Sequence, residues 1–149
     1  MEAILIEHLS KKRWKFLAVD DLNLTVESGA CVGLGPNGAC KTTTIKILTH
    51  FLRATSGRAY LHGKDVIRDP KGALEGVGAV VETPEFYPRL TPRECLSYVG
   101  EVRGMSLEII AERSHVVLDQ VKPLEVIDKC TGEFSKRMKQ QLALAQASA

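Results

Sequence analysis

One stretch carries most of the chemistry this chain can do: Gly35-Pro36-Asn37-Gly38-Ala39-Cys40-Lys41-Thr42. The spacing Gly-x-x-x-x-Gly-Lys-Ser/Thr builds a phosphate loop. A glycine-rich turn aims successive backbone N–H groups inward, the lysine reaches the β- and γ-phosphates of a nucleotide, and the hydroxyl ligates Mg2+. Every position fits except the one before the lysine, where Cys40 replaces glycine. Glycine there serves either a backbone conformation that a Cβ resists or room against the phosphates. Thr43 adds a second hydroxyl beside Thr42 and is counted with the binding residues.

A phosphate loop works only between a buried strand and a helix. Ala30-Cys31-Val32-Gly33-Leu34 is an apolar run of the right kind for that strand. From Thr42 to Leu52, Ile45, Ile47, Leu48 and Leu52 give a helix an apolar face. The N-terminus of such a helix adds about half a positive charge where phosphate would lie.

Elsewhere, alternation over Ile4–Leu9 and Leu22–Val26 predicts two half-buried antiparallel strands. Glu27-Ser28-Gly29 is a turn, Thr55-Ser56-Gly57 closes the first helix, Ala59-Tyr60-Leu61 is a short strand, and Gly63-Lys64-Asp65 turns again. Val77-Gly78-Ala79-Val80-Val81 reads as a second buried strand. Thr91-Pro92-Arg93-Glu94 is a capping box with proline at the first helical position, which predicts a helix from Pro92 to about Arg103, ended by Gly104. Ser106 starts another, with Ile109, Ile110, Val116, Val117 and Val121 on its buried side and Pro123 as its stop. Ser135 caps a final helix carrying Met138, Leu142 and Ala145.

The 149 residues amount to one domain or a piece of one. A net charge of +2 is too small to argue for nucleic acid, and the Lys11-Lys12-Arg13 and Lys136–Lys139 clusters also read as solvated faces. No apolar run reaches the roughly 20 residues that cross a bilayer, and Met1–Glu7 lacks the basic start of a signal peptide. Cys31, Cys40, Cys95 and Cys130 form no C-x-x-C pair, which favours reduced thiols over a zinc site or a disulfide framework. His8, His50, His62 and His115 lack metal-ligand spacing.

The loop, with the text around it, resembles the ATP-binding subunit of an ABC transporter, and the resemblance runs along essentially the whole chain. Lys12-Arg13-Trp14 followed by Leu17-Ala18-Val19-Asp20-Asp21-Leu22 is similar to that family's opening, where an aromatic residue stacks on adenine. Trp14 is the better match and Phe16 the reserve, and a surface or packing residue is the alternative reading of Trp14. Val80-Val81-Glu82-Thr83-Pro84 resembles the family's Q-loop, with Glu82 in place of glutamine. A carboxylate still accepts from a water on Mg2+ but cannot donate as an amide does. Phe134-Ser135-Lys136-Arg137-Met138-Lys139-Gln140-Gln141-Leu142 resembles the signature motif in its Ser-Lys-Gly-Met form, with Arg137 where glycine belongs. The form of that motif is similar to subunits of drug-, polysaccharide- or metal-export systems.

The resemblance implies an α/β fold. It comprises a P-loop NTPase-type sheet with flanking helices, an N-terminal antiparallel β part, and a helical signature subdomain over about residues 86–149. All belong to one ATP-binding domain over residues 1–149. It implies ATP and Mg2+ as ligands. Gly35 to Thr43 and Trp14 bind nucleotide, Thr42 and Glu82 serve Mg2+, and Ser135, Lys136, Arg137 and Met138 form the signature. A membrane-spanning permease subunit and a second ATP-binding subunit are the implied partners, at the cytoplasmic face of the cell membrane. The family's Walker B aspartate, water-activating glutamate and switch histidine are expected after the signature helix and have no counterpart before Ala149. The chain is therefore expected to bind ATP without hydrolysing it alone. A degenerate binding module is the second reading, and a small P-loop kinase a third that leaves the signature text unexplained.

Overall fold

The computed structural model describes residues 2–30, 39–82, 84–120 and 127–148. They fall into two compact units, Met1–Val77 and Gly78–Ala149. The loop glycines Gly35 and Gly38 with Pro36 and Asn37, most of the expected strand at 30–34, Thr83, and the helix stop at Val121–Pro123 lie outside the described residues.

In the first unit, β1 (Glu2–Arg13) and β2 (Phe16–Glu27) form a long antiparallel hairpin, followed by α1 (Ala39–Leu48), β3 (Ser56–Leu61), β4 (Lys64–Asp65) and the short α2 (Pro70–Ala73). Among the described residues the sheet order is β2-β1-β3-β4, antiparallel throughout. The two expected strands are present and longer than alternation alone suggests, because a bulge changes the side-chain parity. Pairing runs Ile6↔Leu24 and then Leu9↔Leu22 with a register shift between them. His8 (φ 49°) and Asp21 (φ 43°) take left-handed backbones there. The bulge puts both Ile6 and Leu9 in the core although they are three residues apart. The His8 N–H donates to Asn23 Oδ1 (2.8 Å), and His8 Nδ1 lies 2.9 Å from Asp21 Oδ1. Gly57 (φ 86°) crosses this bulge, and a Cβ there would sit 2.5 Å from the His8 carbonyl carbon and 2.6 Å from Leu9 Cα. Only glycine fits.

Ile6, Leu9, Ile47, Ala59, Leu61, Val66 and Ala73 form the core, with Leu48 and Leu52 packed against it. α1 starts earlier than expected, at Ala39, and stops earlier, at Leu48. His50 enters the left-handed region (φ 61°), with its Nδ1 2.8 Å from the Val66 carbonyl oxygen, so Leu52 reaches the core from a loop.

The second unit holds α3 (Pro92–Val102), α4 (Leu107–Gln120), a 3-10 turn (Thr131–Glu133) and α5 (Lys136–Ser148). The capping box at Thr91 and Glu94 is present, and Gly104 (φ 77°) follows the C-cap Arg103. The expected strand at Val77–Val81 is not one. The segment has no ladder partner among the described residues, and Gly78 and Ala79 are exposed. An apolar run reports a preference for burial, whereas a strand also requires a neighbour's N–H and C=O groups. Gly78 instead packs on the Ala147 backbone. α4 buries Ile110, Ser114, Val117 and Leu118. Ile109 and Val116, expected inside, are 46% and 51% exposed because they lie about 100° around the helix from that stripe. Ile110 seats on α3 at Gly100, where a Cβ would lie 2.5 Å from Ile110 Cγ1.

Candidate functional site

In the first unit, α1 carries the end of the phosphate loop. Cys40 and Thr42 are exposed, and Lys41 and Thr43 are half-buried. All lie in the first turn and a half, where the helix dipole favours an anion. Cys40 has helical backbone, so its side chain carries none of the left-handed strain that a glycine-only position would impose. Room against phosphate is what remains of the reason to expect glycine. Thr44 was not singled out in the sequence. It is fully buried, and its Oγ1 donates to the Cys40 carbonyl oxygen (2.8 Å), fixing the turn that presents Lys41.

Trp14 occupies the tip of the β1–β2 hairpin with a left-handed backbone (φ 56°) and is 94% exposed. Phe16 begins β2 and is 62% exposed. The Lys11 ammonium is turned aside onto the Arg53 carbonyl oxygen (2.7 Å). Lys12, Arg13 and Lys15, the neighbours of Trp14 in sequence, are exposed.

In the second unit, Glu82 is exposed and holds φ 68°, which costs a side-chain-bearing residue on the order of 1–3 kcal/mol. Downstream, Phe86 and Leu90 pack on the Cys95–Phe134–Leu142 cluster together with Met138. Burial, and then the Glu94 charge, push the Cys95 thiol up, which keeps it neutral and inert. Ser135 caps α5 as expected: its Oγ accepts from the Met138 N–H (3.3 Å) and its carbonyl from the Lys139 N–H (3.0 Å). Lys136 and Arg137 are exposed, whereas Met138 turns inward. Arg137 is helical, so the backbone there accepts a side chain.

Hard oxygen donors such as the Thr42 hydroxyl and the Glu82 carboxylate suit Mg2+, which takes one or two protein oxygens beside phosphate. Among the described residues no cluster of three or more His, Cys, Asp and Glu could itself enclose a metal, and no helix is long and apolar enough to cross a membrane.

Known proteins resemble this chain in sequence and in fold. The bacitracin transport ATP-binding protein BcrA of Bacillus licheniformis is 37% identical over 131 residues, covering 87% of this chain and 42% of that protein. The Nod factor export ATP-binding protein I of Burkholderia lata is 37% identical over 132 residues, covering 88% and 43%. The chain thus spans less than half the length of these relatives. Among solved structures, an ATP-binding subunit of an ABC transporter superposes with a TM-score of 0.78 at 25% identity, covering 97% of this chain and 60% of that one. A nucleotide-free ATP-binding cassette gives 0.75 at 26% identity, covering 99% and 64%. The mixed α/β architecture is that of these ATP-binding subunits. The sequence pattern of the family described as ABC transporter matches residues 19–149, and the chain belongs to that family.

Proposed function

We propose that the chain is the ATP-binding part of an energising subunit that drives an ABC transporter, with export as the transport class. The observation that carries this reading is α1, whose first turn presents Lys41 and Thr42 directly behind a glycine-rich stretch, inside the family match. Catalysis of phosphoryl transfer is largely positioning and electrostatics. The backbone N–H groups of Gly35 and of Asn37 to Cys40, with Pro36 shaping the turn between them, and the Lys41 ammonium hold the β- and γ-phosphates, and Thr43 extends the contact. Thr42 would hold Mg2+ through its hydroxyl and Glu82 would serve it through a carboxylate oxygen, and the ion would supply charge that neutralises phosphate. Trp14 stacks on adenine, with Phe16 as the alternative. Ser135, Lys136, Arg137 and Met138 face the γ-phosphate held by a second ATP-binding subunit, Met138 through its backbone alone. A membrane-spanning permease subunit at the cytoplasmic face receives the resulting motion.

Trp14 is the single tryptophan, so its emission reports directly on the site. Titration with Mg-ATP is expected to change that emission saturably. Binding seen by calorimetry with Trp14 emission unchanged would remove the stacking role, and no binding by either method would overturn the reading.

A non-hydrolytic binding module is the second reading. Cys40, Glu82 and Arg137 favour it, each being a departure at a position the family places against phosphate. Phosphate release that saturates with Mg-ATP and requires Lys41 would exclude it.

A further inference from the structure

The turn after Glu82 and the approach to Ser135 are tied by an unusually complete set of hydrogen bonds. Each consecutive carbonyl from Tyr87 to Leu90 accepts from residues 130–132. Thr131 Oγ1 donates to Tyr87 O (2.8 Å), the Gly132 N–H to Pro88 O (2.9 Å), Cys130 Sγ to Arg89 O (3.4 Å), and the Thr131 N–H to Leu90 O (2.8 Å). Thr131 is fully buried and uses both backbone and side chain. Gly132 leaves no space for change, since a Cβ there would lie 2.9 Å from Pro88 O. The clamp ends one residue before the first of two helix caps and three residues before the second. Leu90 precedes Thr91, the N-cap of α3, and the 3-10 turn hands over through Phe134 to Ser135, the cap of α5. Two helix starts that are far apart in sequence therefore share one anchor.

We propose that Thr131 is a positioning residue that makes the segment following Glu82 and the helix start at Ser135–Met138 move as one piece. This rests on the reading above, in which Glu82 serves Mg2+ beside the nucleotide and Ser135 presents the signature. Thr131 touches neither ligand nor metal in this account; it acts through the carbonyls of Tyr87 and Leu90. Removing this buried hydroxyl leaves the Tyr87 carbonyl with the Leu90 N–H alone (3.0 Å) and loosens one end of the anchor.

Amide exchange on the 149-residue chain tests this, read at residues 86–91, 131–139 and, as an internal control, 107–118. Without nucleotide, Thr131→Val is expected to speed exchange at 131–139 roughly tenfold, the equivalent of one lost hydrogen bond, and to leave 107–118 unchanged. Thr131→Ser, which keeps the hydroxyl, should retain the native rates. With Mg-ATP, the native chain should change at 86–91 and 131–139 together, and Thr131→Val at 86–91 alone. Should Thr131→Val not fold, Thr131→Ala and Thr131→Ser carry the same comparison, with linkage lost in the first and kept in the second. Equal exchange in native and Val chains, a uniform loss that includes 107–118, or failure of Ser to rescue would each overturn the proposal. If calorimetry finds no ATP binding to the native chain, the ATP-binding reading fails, while the nucleotide-free arm still decides on the clamp.

Discussion

Cys40 is exposed in the first turn of α1, immediately ahead of Lys41. Cys95 is buried with its thiol pushed up, and Cys130 is half-buried with its Sγ on the Arg89 carbonyl. Alkylation follows access and thiolate fraction. Cys40 should therefore label faster than Cys95 or Cys130, and Mg-ATP at ten times its dissociation constant should slow it by about tenfold, through simple occupancy. Timed alkylation with peptide mass mapping reads both. Labelling of Cys40 no faster than Cys130, or unaffected by ATP, would mean that phosphate does not bind beside it. The sequence identified Cys40 by its departure from a pattern, but a pattern cannot say why glycine stands at a position. The helical backbone separates the two reasons, removing strain and leaving space. Thr44 and Thr131 escaped notice because a buried threonine bonded to a carbonyl leaves no mark in periodicity or spacing.

The starts of α3, α4 and α5 were the most legible elements, since their caps are local chemistry written in adjacent residues. At Thr91 the whole box is present: the Glu94 carboxylate accepts from the Thr91 N–H (2.7 Å), and the Glu94 N–H donates to Thr91 Oγ1 (3.4 Å). Thr91→Ala should cost about 1 kcal/mol in urea unfolding. The Thr91 backbone N–H, and then its hydroxyl, hold the Glu94 carboxyl below its ordinary value of 4.5. A carboxyl with a depressed folded value stabilises above its unfolded value, and that stability is lost as pH falls through the folded one. The stability gap between the native chain and Glu94→Gln should accordingly be full at neutral pH and shrink below about 4.5. A gap independent of pH would contradict the ionic role. Turns and ladders were less legible. Arg13-Trp14-Lys15-Phe16 contains no glycine, asparagine or aspartate to announce a hairpin turn, so Trp14 gives no sign of its left-handed backbone. Val77–Val81 has strand composition but no ladder partner among the described residues, because pairing is decided by segments remote in sequence.

At the scale of the whole molecule, the second unit leaves Tyr87, Tyr98, Val102, Leu107 and Leu144 more than half exposed, and among the described residues the twelve-residue β2 lies at the edge of its sheet. Apolar patches and long unpaired edges drive association. The purified chain should therefore show a light-scattering mass that rises with concentration, and a constant mass of 16.3 kDa would contradict this. The family was legible across the chain because its motifs are short, chemically constrained and widely spaced. The substrate is not, because nothing in a phosphate loop depends on what is moved. The central claim is that Lys41 and the start of α1 hold the phosphates of ATP, and calorimetric titration of Mg-ATP into the native chain and Lys41→Ala tests it most directly. Loss of a charge-assisted contact predicts affinity weakened roughly 10- to 150-fold. Equal affinity in the two chains, or no binding in the native one, would contradict it.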